Sequence, residues 1–408
     1  MTSVGAGVEA QRRVRNRDVL RNREFAGLYV SQSLSLLGDQ LARIALALLV
    51  FERTGSAFAA STAFGVSYLA YLVGGPLLSG LADRHPRLTV MVVCDLLRAP
   101  LVLVLCVDAV PLWSVFVLVL LMSTLGPPFD SARGALQPDL LDGDAYVVGN
   151  GLLNVTAQLA QVLGFVLGGA LVAVASVDGA LALDAATFLV SAGVLLVTVR
   201  QRPAAEPDLG GSLLRQAIDG FRLVLGAREL RGLLLVALLP SVAVTATEGL
   251  AVPVAHDLGR GAAVAGLLTA AVPAGFLVAS TLVLRQGAER RMALVPGLVV
   301  LACAPLLLSP LLDSVGLVLA LWIVAGMGAT VNLIAGPAFM LRLPAQARAR
   351  GYGVAGSLLQ AGQGIGLVAA GALAEVFGPR SAVAVVAAGC LLLAVPLLTA
   401  QATGRTVR

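Results

Sequence analysis

Apolar stretches of about 20 residues recur along this chain, separated by short segments that carry arginine. A helix needs about 20 mostly apolar residues to cross a bilayer. Inside lipid the backbone must satisfy its own hydrogen bonds, which restricts spanning segments to helices or closed barrels. Only 12% of the 408 residues are charged and 58% are hydrophobic. A soluble domain carries roughly 25% charged residues, so lipid is the solvent for most of this chain. Apolar runs near 25–51, 57–81, 88–107, 111–132, 147–175 and 179–199 predict six spans, and runs near 229–254, 261–285, 291–308, 314–341, 351–377 and 381–400 predict six more. The expected fold is an all-α integral membrane protein with twelve transmembrane helices.

Arginine placement orients the spans. All 28 basic residues are Arg. If the N-terminus is cytoplasmic, 23 of them fall in cytoplasmic segments and three (Arg53, Arg260, Arg380) in outer loops. Arg43 and Arg98 lie within spans. Such a bias predicts both termini inside and an even number of helices. Six Arg (Arg12, Arg13, Arg15, Arg17, Arg21, Arg23) precede the first span and read as a juxtamembrane basic tail rather than a nucleic-acid site. The first apolar run has no cleavage pattern behind it, so no cleaved signal is expected.

The chain divides in two. A basic tail (1–24) leads into a six-helix bundle (25–199), and a polar linker (200–228) leads into a second bundle (229–400) with a short tail (401–408). Within the linker, Leu214, Ile218, Phe221 and Leu225 share one helical face, as in an amphipathic surface helix. A shift of 202 residues aligns Gln158, Gln161, Gly164, Val166, Gly169, Ala170 and Leu171 with Gln360, Gln363, Gly366, Val368, Gly371, Ala372 and Leu373. Seven identities in 14 positions, at a shift near half the chain, predict two pseudo-symmetric six-helix bundles. Small-residue packing chemistry shared by Gly-rich helices is the simpler alternative.

The loop after the second span reads Ser79-Gly80-Leu81-Ala82-Asp83-Arg84-His85-Pro86-Arg87. It resembles the loop signature of the major facilitator superfamily, Gly-x-Leu-Ala-Asp-Arg-x-Gly-Arg-Arg, with Ser79, Pro86 and Leu88 replacing two Gly and the last Arg. Gly38-Asp39-Gln40, Arg53-Thr54-Gly55-Ser56, Asp95-Leu-Leu-Arg98 and Asp184-Ala-Ala-Thr-Phe188 look like the macrolide-efflux and enterobactin-exporter branch. The resemblance implies two bundles that rock about a central site, with Asp83, Arg84 and Arg87 as a gate latch. Asp95, Arg98, Asp130 and Arg133 are expected to join them in one cytoplasmic charge cluster that controls conformation. Gly164-Phe165-Val-Leu-Gly168-Gly169 is similar to the antiporter motif of that superfamily, with Phe165 where the family has Pro. The missing Pro removes the expected kink, and close packing of the fifth span is an equal reading.

Charges inside spans are costly, about 2.5–3.5 kcal/mol each on insertion scales, and mark functional sites. Asp39 lies mid-span with Arg43 one turn on, and Gln32 and Ser35 extend the polar stripe. The stripe reads as a cavity wall where Asp39 binds a proton or cationic substrate, or as a static Asp39–Arg43 pair. Burial favours the neutral acid, Arg43 the carboxylate, and the sequence leaves the balance open. Glu248, four residues before Val252-Pro253, is the second coupling candidate, or an interfacial carboxylate near the outer end. Asn154, Gln158, Gln161, Gln360 and Gln363 are candidate cavity-lining residues. Asp184 is expected near the outer start of the sixth span, as an N-cap or a transport residue.

Nothing in the sequence points to an enzyme. No phosphate-binding Gly-x-x-x-x-Gly-Lys-Ser/Thr loop is present. The four Cys lie in apolar runs without metal spacing, so no metal or cofactor is expected. The expected function is proton-coupled efflux of an amphipathic small molecule (a drug, secondary metabolite or siderophore) by a monomer in a bacterial cytoplasmic membrane. An importer or uniporter on the same fold is the alternative, and a transport-dead receptor is a third.

Overall fold

The computed structural model describes residues 15–78, 84–107, 110–202, 213–343 and 348–402. All regular secondary structure among them is helical. A short α1 (Asn16–Leu20) leads into α2 (Arg23–Thr54), α3 (Ala57–Leu78) and α4 (Arg87–Leu105). Then come α5 (Leu112–Thr124), α6 (Gly126–Leu140), α7 (Gly143–Ala175) and α8 (Val177–Thr198). The second half holds α9 (Leu213–Gly226), α10 (Arg228–Asp257), α11 (Ala262–Leu284) and α12 (Ala288–Cys303). It ends with α13 (Val315–Gly328), α14 (Asn332–Arg342), α15 (Arg348–Phe377) and α16 (Pro379–Ala402). Eleven helices or in-line helix pairs among the described residues are long and apolar enough to cross a membrane, and α3 adds a shorter apolar run, Ala57–Leu72.

The chain chemistry explains the ends and breaks. Asn22 caps α2 by accepting from the N–H groups of Glu24 and Phe25 at 3.0 and 3.2 Å. Gly55 closes α2 in the left-handed region at φ 66°. The fourth predicted span, 111–132, is two helices in line that run on to Leu140. The break falls where Pro127 and Pro128 lack the N–H groups that would continue the ladder from α5. A 3₁₀ segment, Ala304–Leu311, with Pro305 and Pro310, likewise completes the ninth span after α12.

Both halves use the same pairings. In the first, α2 packs on α7 and α8, and α3 packs on α5. In the second, α10 packs on α15 and α16, and α11 packs on α13. Between the halves, α3 lies along α15 and α7 along α11. One hydrophobic core joins the halves: Ile44, Phe64, Tyr68 and Phe165 pack with Leu250, Leu268, Trp322 and Leu367. At the end of the bundle nearer the chain termini the cores are separate. One, around Phe25, Met91 and Leu195, belongs to the first half, and another, around Val224, Leu230 and Phe339, to the second.

The linker helix, expected to lie on the membrane surface, packs one side on the second half and leaves apolar side chains exposed beside it. Of the predicted face of α9, Phe221 packs against the second-half core, while Ile218 and Leu225 are exposed and Val224 is fully buried. The helix docks through Val224 and Phe221 because α15 and α10 meet it on that side. Sequence periodicity alone cannot tell a face that meets protein from one that meets the membrane interface.

Glycine sets the closest approach within the second half. A Cβ on Gly326 would sit 2.2 Å from the Val272 carbonyl oxygen, and one on Gly275 would sit 1.9 Å from that of Ile323. Backbone cannot yield as a side-chain tip can. Gly326→Ala is expected to lower stability by about 1–3 kcal/mol. Gly232→Ala, with nothing within 4 Å, is expected to leave it the same or slightly higher. Thermal unfolding of the two variants in detergent checks this.

Candidate functional site

Four ionisable side chains of the first half, Asp39, Arg43, Tyr71 and Arg98, converge on a small chamber inside the bundle. Asp39, Arg43 and Leu46 of α2 line it, with Ser67 and Tyr71 of α3, Arg98 of α4, Ser123 of α5 and Leu181 of α8. Its volume is ≈ 50 Å³. That admits water-sized species and is far below the ≈ 300–1,000 Å³ of a drug-sized pocket. The predicted polar stripe on α2 therefore splits. Asp39 and Arg43 face this chamber, while Gln32 and Ser35 lie buried toward the other end of α2.

Arg43 turns toward the second half. Its guanidinium lies 5.6 Å from the centroid of the Tyr68 ring. The Tyr68 hydroxyl donates to Glu248 Oε2 of α10 at 3.1 Å. Glu248 is 5% exposed, so the carboxylate expected at an outer interface is sealed between the two halves. Proline explains part of the placement: Pro240 and Pro253 interrupt the ladder of α10 on either side of it.

Arg98 and Asp95 lie in the interior, apart from Arg84 and Arg87, while Asp130 is close enough to act on Asp39 and Cys94. The Arg98 guanidinium stacks against Phe129 and Phe188 at 5.8 and 5.4 Å from their centroids. Asp95 is fully buried and accepts from the Ser191 hydroxyl at 2.5 Å. Ser31 in turn lies 2.7 Å from Ser191, giving a chain of hydroxyls from α2 through α8 to α4. Arg87 pairs instead with Asp139 of α6. Asp130 and Arg133 pair with each other at 3.3 Å, and Arg84 is exposed. The expected single gate cluster is thus two layers, because Arg87 opens α4 while Asp95 and Arg98 lie two and three turns deeper. Asp83 lies outside the described residues.

Of the two readings of Asp184, helix cap and transport residue, the helix start removes the first. Helix α8 begins at Val177, and its cap is Ser176, whose side chain accepts from Gly179 N–H at 3.4 Å. Asp184 therefore sits two turns inside the helix, fully buried. Neither carboxylate oxygen has a hydrogen-bond partner. A Cβ on Gly38 would lie 2.5 Å from Asp184 Oδ1, so glycine is what lets the α2 backbone close on this acid. The sequence signal was the Gly38-Asp39 step itself, a glycine beside a buried charge.

Comparison with known proteins supplies the family. The Major Facilitator Superfamily model matches residues 28–341 and 248–406. The chain belongs to the Major Facilitator Superfamily. It is 24% identical to Macrolide efflux protein A of Streptococcus pyogenes over 366 residues, covering 87% of this chain and 90% of that protein. It is 26% identical to the MFS-type transporter YfiS of Bacillus subtilis (strain 168) over 389 residues, covering 91% of each. The fold matches a crystal structure of a bacterial homolog to the human lysosomal transporter Spinster, in an inward-facing and unoccupied conformation. The TM-score is 0.73 at 14% identity, covering 92% of this chain and 96% of that one. The protein is thus a membrane-embedded transporter of a small molecule, in a macrolide-efflux-like branch.

The fifth-span motif of this superfamily member divides its labour. Gly164 and Gly168 pack α7 on α2, since a Cβ on either would lie 2.5 Å from Gln40 or Ile44 side-chain carbon. Gly169 serves the other half: a Cβ there would lie 2.6 Å from the Ala262 carbonyl oxygen of α11. Helix α7 is unbroken through Phe165, which is fully buried. Of the cavity candidates, Gln363 accepts from Thr245 at 2.9 Å and donates to Gln360 Oε1 at 3.3 Å. Asn154 is exposed and Gln158 and Gln161 are half-buried on α7. The four Cys are free.

Ser191 is the donor that the structure gives to Asp95. Ser191→Ala leaves a buried acceptor unsatisfied and is expected to cost about 1–3 kcal/mol. Ser33 bonds only the carbonyl of Tyr29 in its own helix, so Ser33→Ala is expected to change stability by less than about 0.5 kcal/mol. Denaturation of the purified variants in micelles compares the two.

Proposed function

We propose that this protein is a proton-coupled exporter of an amphipathic small molecule, built of twelve spanning helices in two pseudo-symmetric bundles with both termini cytoplasmic, in a bacterial cytoplasmic membrane. The observation that carries this reading is the shared core. The halves are joined at the end away from the termini and have separate cores at the end near them. With both termini inside, the reading that the arginine bias supports, the joined end is the outer one and the protein is closed on that side. Alternating access then requires the shared core to part as the cytoplasmic ends close.

The outer closure has its own polar lock. Glu375 Oε1 of α15 accepts from the Ser56 hydroxyl at 2.7 Å and from Phe58 N–H at 3.0 Å. One carboxylate thereby caps the N-terminus of α3 from across the bundle interface. Ser61 donates to the Leu367 carbonyl at 2.6 Å deeper in the same seam. Asp39 is the carboxylate of the first half that faces the water-sized chamber, which supports it as a coupling residue. Macrolide efflux by a relative supports an amphipathic cargo of that kind.

Uptake of an externally added tritiated macrolide into everted vesicles tests the proposal. Accumulation is expected to require an acid lumen and to fall at least about tenfold in Asp39→Asn, a loss of about 1.4 kcal/mol or more. Accumulation indifferent to the pH gradient would sink proton coupling and favour a uniporter. The closure is tested separately by Ser56→Cys combined with Glu375→Cys. Oxidation is expected to cross-link the pair and stop efflux, and reductant to restore it.

A further inference from the structure

The interior of the first half carries more acid than base. Asp39, Asp95 and Asp184 surround Arg98, and the other interior base, Arg43, is shared with Glu248 through Tyr68. An uncompensated carboxylate in a dry interior is far costlier than the neutral acid. The four acids are not equally provided for. Asp95 has the Ser191 hydroxyl, Glu248 has the Tyr68 hydroxyl, and Asp39 opens on the chamber. Asp184 is fully buried, and the one hydroxyl beside its oxygens, that of Thr187, is committed elsewhere. The neighbouring Thr187 hydroxyl donates to the Asp184 backbone carbonyl at 2.7 Å.

The charged groups facing Asp184 come from two helices. From α2 it meets Asp39, and from α4 it meets Arg98 and Asp95. The third helix packed on α8 is α7, whose titratable residues, Asp144 and Tyr146, lie at its opposite end. Asp184 is also one helical turn from the chamber. Leu181, three residues before it on the same face of α8, forms a wall of the chamber that Asp39 and Arg98 line. The chamber is of a size for water and not for cargo, and the buried acid lies behind its wall.

We propose that Asp184 is the proton-binding residue of this transporter, holding the coupling proton in the outward-closed state and exchanging it with the chamber through Asp39. This rests on the proton-coupled reading above and names its site. In the transfer step the O–H bond of Asp184 breaks and an O–H bond forms on an Asp39 carboxylate oxygen. The negative charge moves from α2 to α8, and Arg98, which faces both acids, remains the counter-charge. Asp39 then releases the proton to water in the chamber. Gly38 is the positioning residue, because any side chain there would push α2 off Asp184.

The test uses full-length protein in proteoliposomes with a tritiated macrolide, and the purified protein in detergent for infrared difference spectra against pH. Asp184→Asn mimics the protonated acid in size. It is expected to cut accumulation driven by an acid lumen at least tenfold while still supporting counterflow at equal pH. The pH-dependent protonated-carboxyl band of the wild type is expected to vanish in Asp184→Asn. Asp184→Glu, which keeps the acid, is expected to restore part of the driven accumulation and to shift the pH at which the band appears. Wild-type accumulation that ignores the gradient overturns the proton-coupled reading and this assignment with it. Accumulation that needs the gradient in the wild type and persists in Asp184→Asn overturns the assignment alone. A carboxyl band that survives Asp184→Asn and is lost in Asp39→Asn also overturns it.

Discussion

The two halves of this transporter touch backbone to backbone, and glycine is what allows it. A Cβ on Gly65 of α3 would lie 3.0 Å from the Gly364 carbonyl oxygen of α15. One on Gly266 of α11 would lie 2.4 Å from the Phe165 carbonyl oxygen of α7. In lipid there is no hydrophobic force to drive helices together, so contact area at short range has to do it. Small residues at these crossings bring Ser61 within reach of Leu367 and Glu375 within reach of the α3 N-terminus. The buried link from Arg43 through Tyr68 to Glu248 depends on the same approach.

That seam places the charges. Once α3 lies along α15, Glu248 is enclosed between the halves, and Arg43 is drawn to that side of α2. Asp39 is left facing Arg98 and the chamber, with Asp184 behind Gly38. The arrangement separates two tasks. Hydroxyl chains and aromatic stacking hold Asp95 and Arg98 in fixed positions. Asp39 and Asp184, with fewer bonds of their own, are the groups whose charge can change without dismantling the bundle.

The faces of the molecule are organised differently. Arg380 of α16 bonds Asp257 and Asp313 at 2.6 and 2.7 Å, tying three segments of the second half together at the end away from the termini. Near the termini, Arg202 pairs with Glu24 at 2.7 Å and Arg87 with Asp139. These pairs lie within one half or the other. The lock at the far end of the seam, by contrast, is the exposed Glu375 carboxylate on a helix N-terminus and the Ser56 hydroxyl, bonds that can open without leaving a buried ion alone.

How much of this was legible in the sequence depended on the range of the interaction. Hydropathy reports a residue's distance from water along its own helix, so most helical spans could be read within a few residues of the helix ends, while the fourth, read to 132, runs on to Leu140. Motif residues could also be read as important: Gly38, Asp39, Arg98, Gly164 and Asp184 all fall at the close contacts or buried charges described here. Partners could not be read. Glu248 looked interfacial because its span was known and its neighbour Tyr68, 180 residues away, was not. Asp95 and Arg98 looked like surface companions of Arg87 because they share a helix. A cap reading of Asp184 was open in the sequence because the start of α8, two turns before it, is set by Ser176. The sequence by itself determined which segments enter the membrane and which residues are too polar to be there without a reason. Tertiary structure alone decided which of those residues face each other, because helix rotation and crossing depend on side chains from elements far apart in the chain.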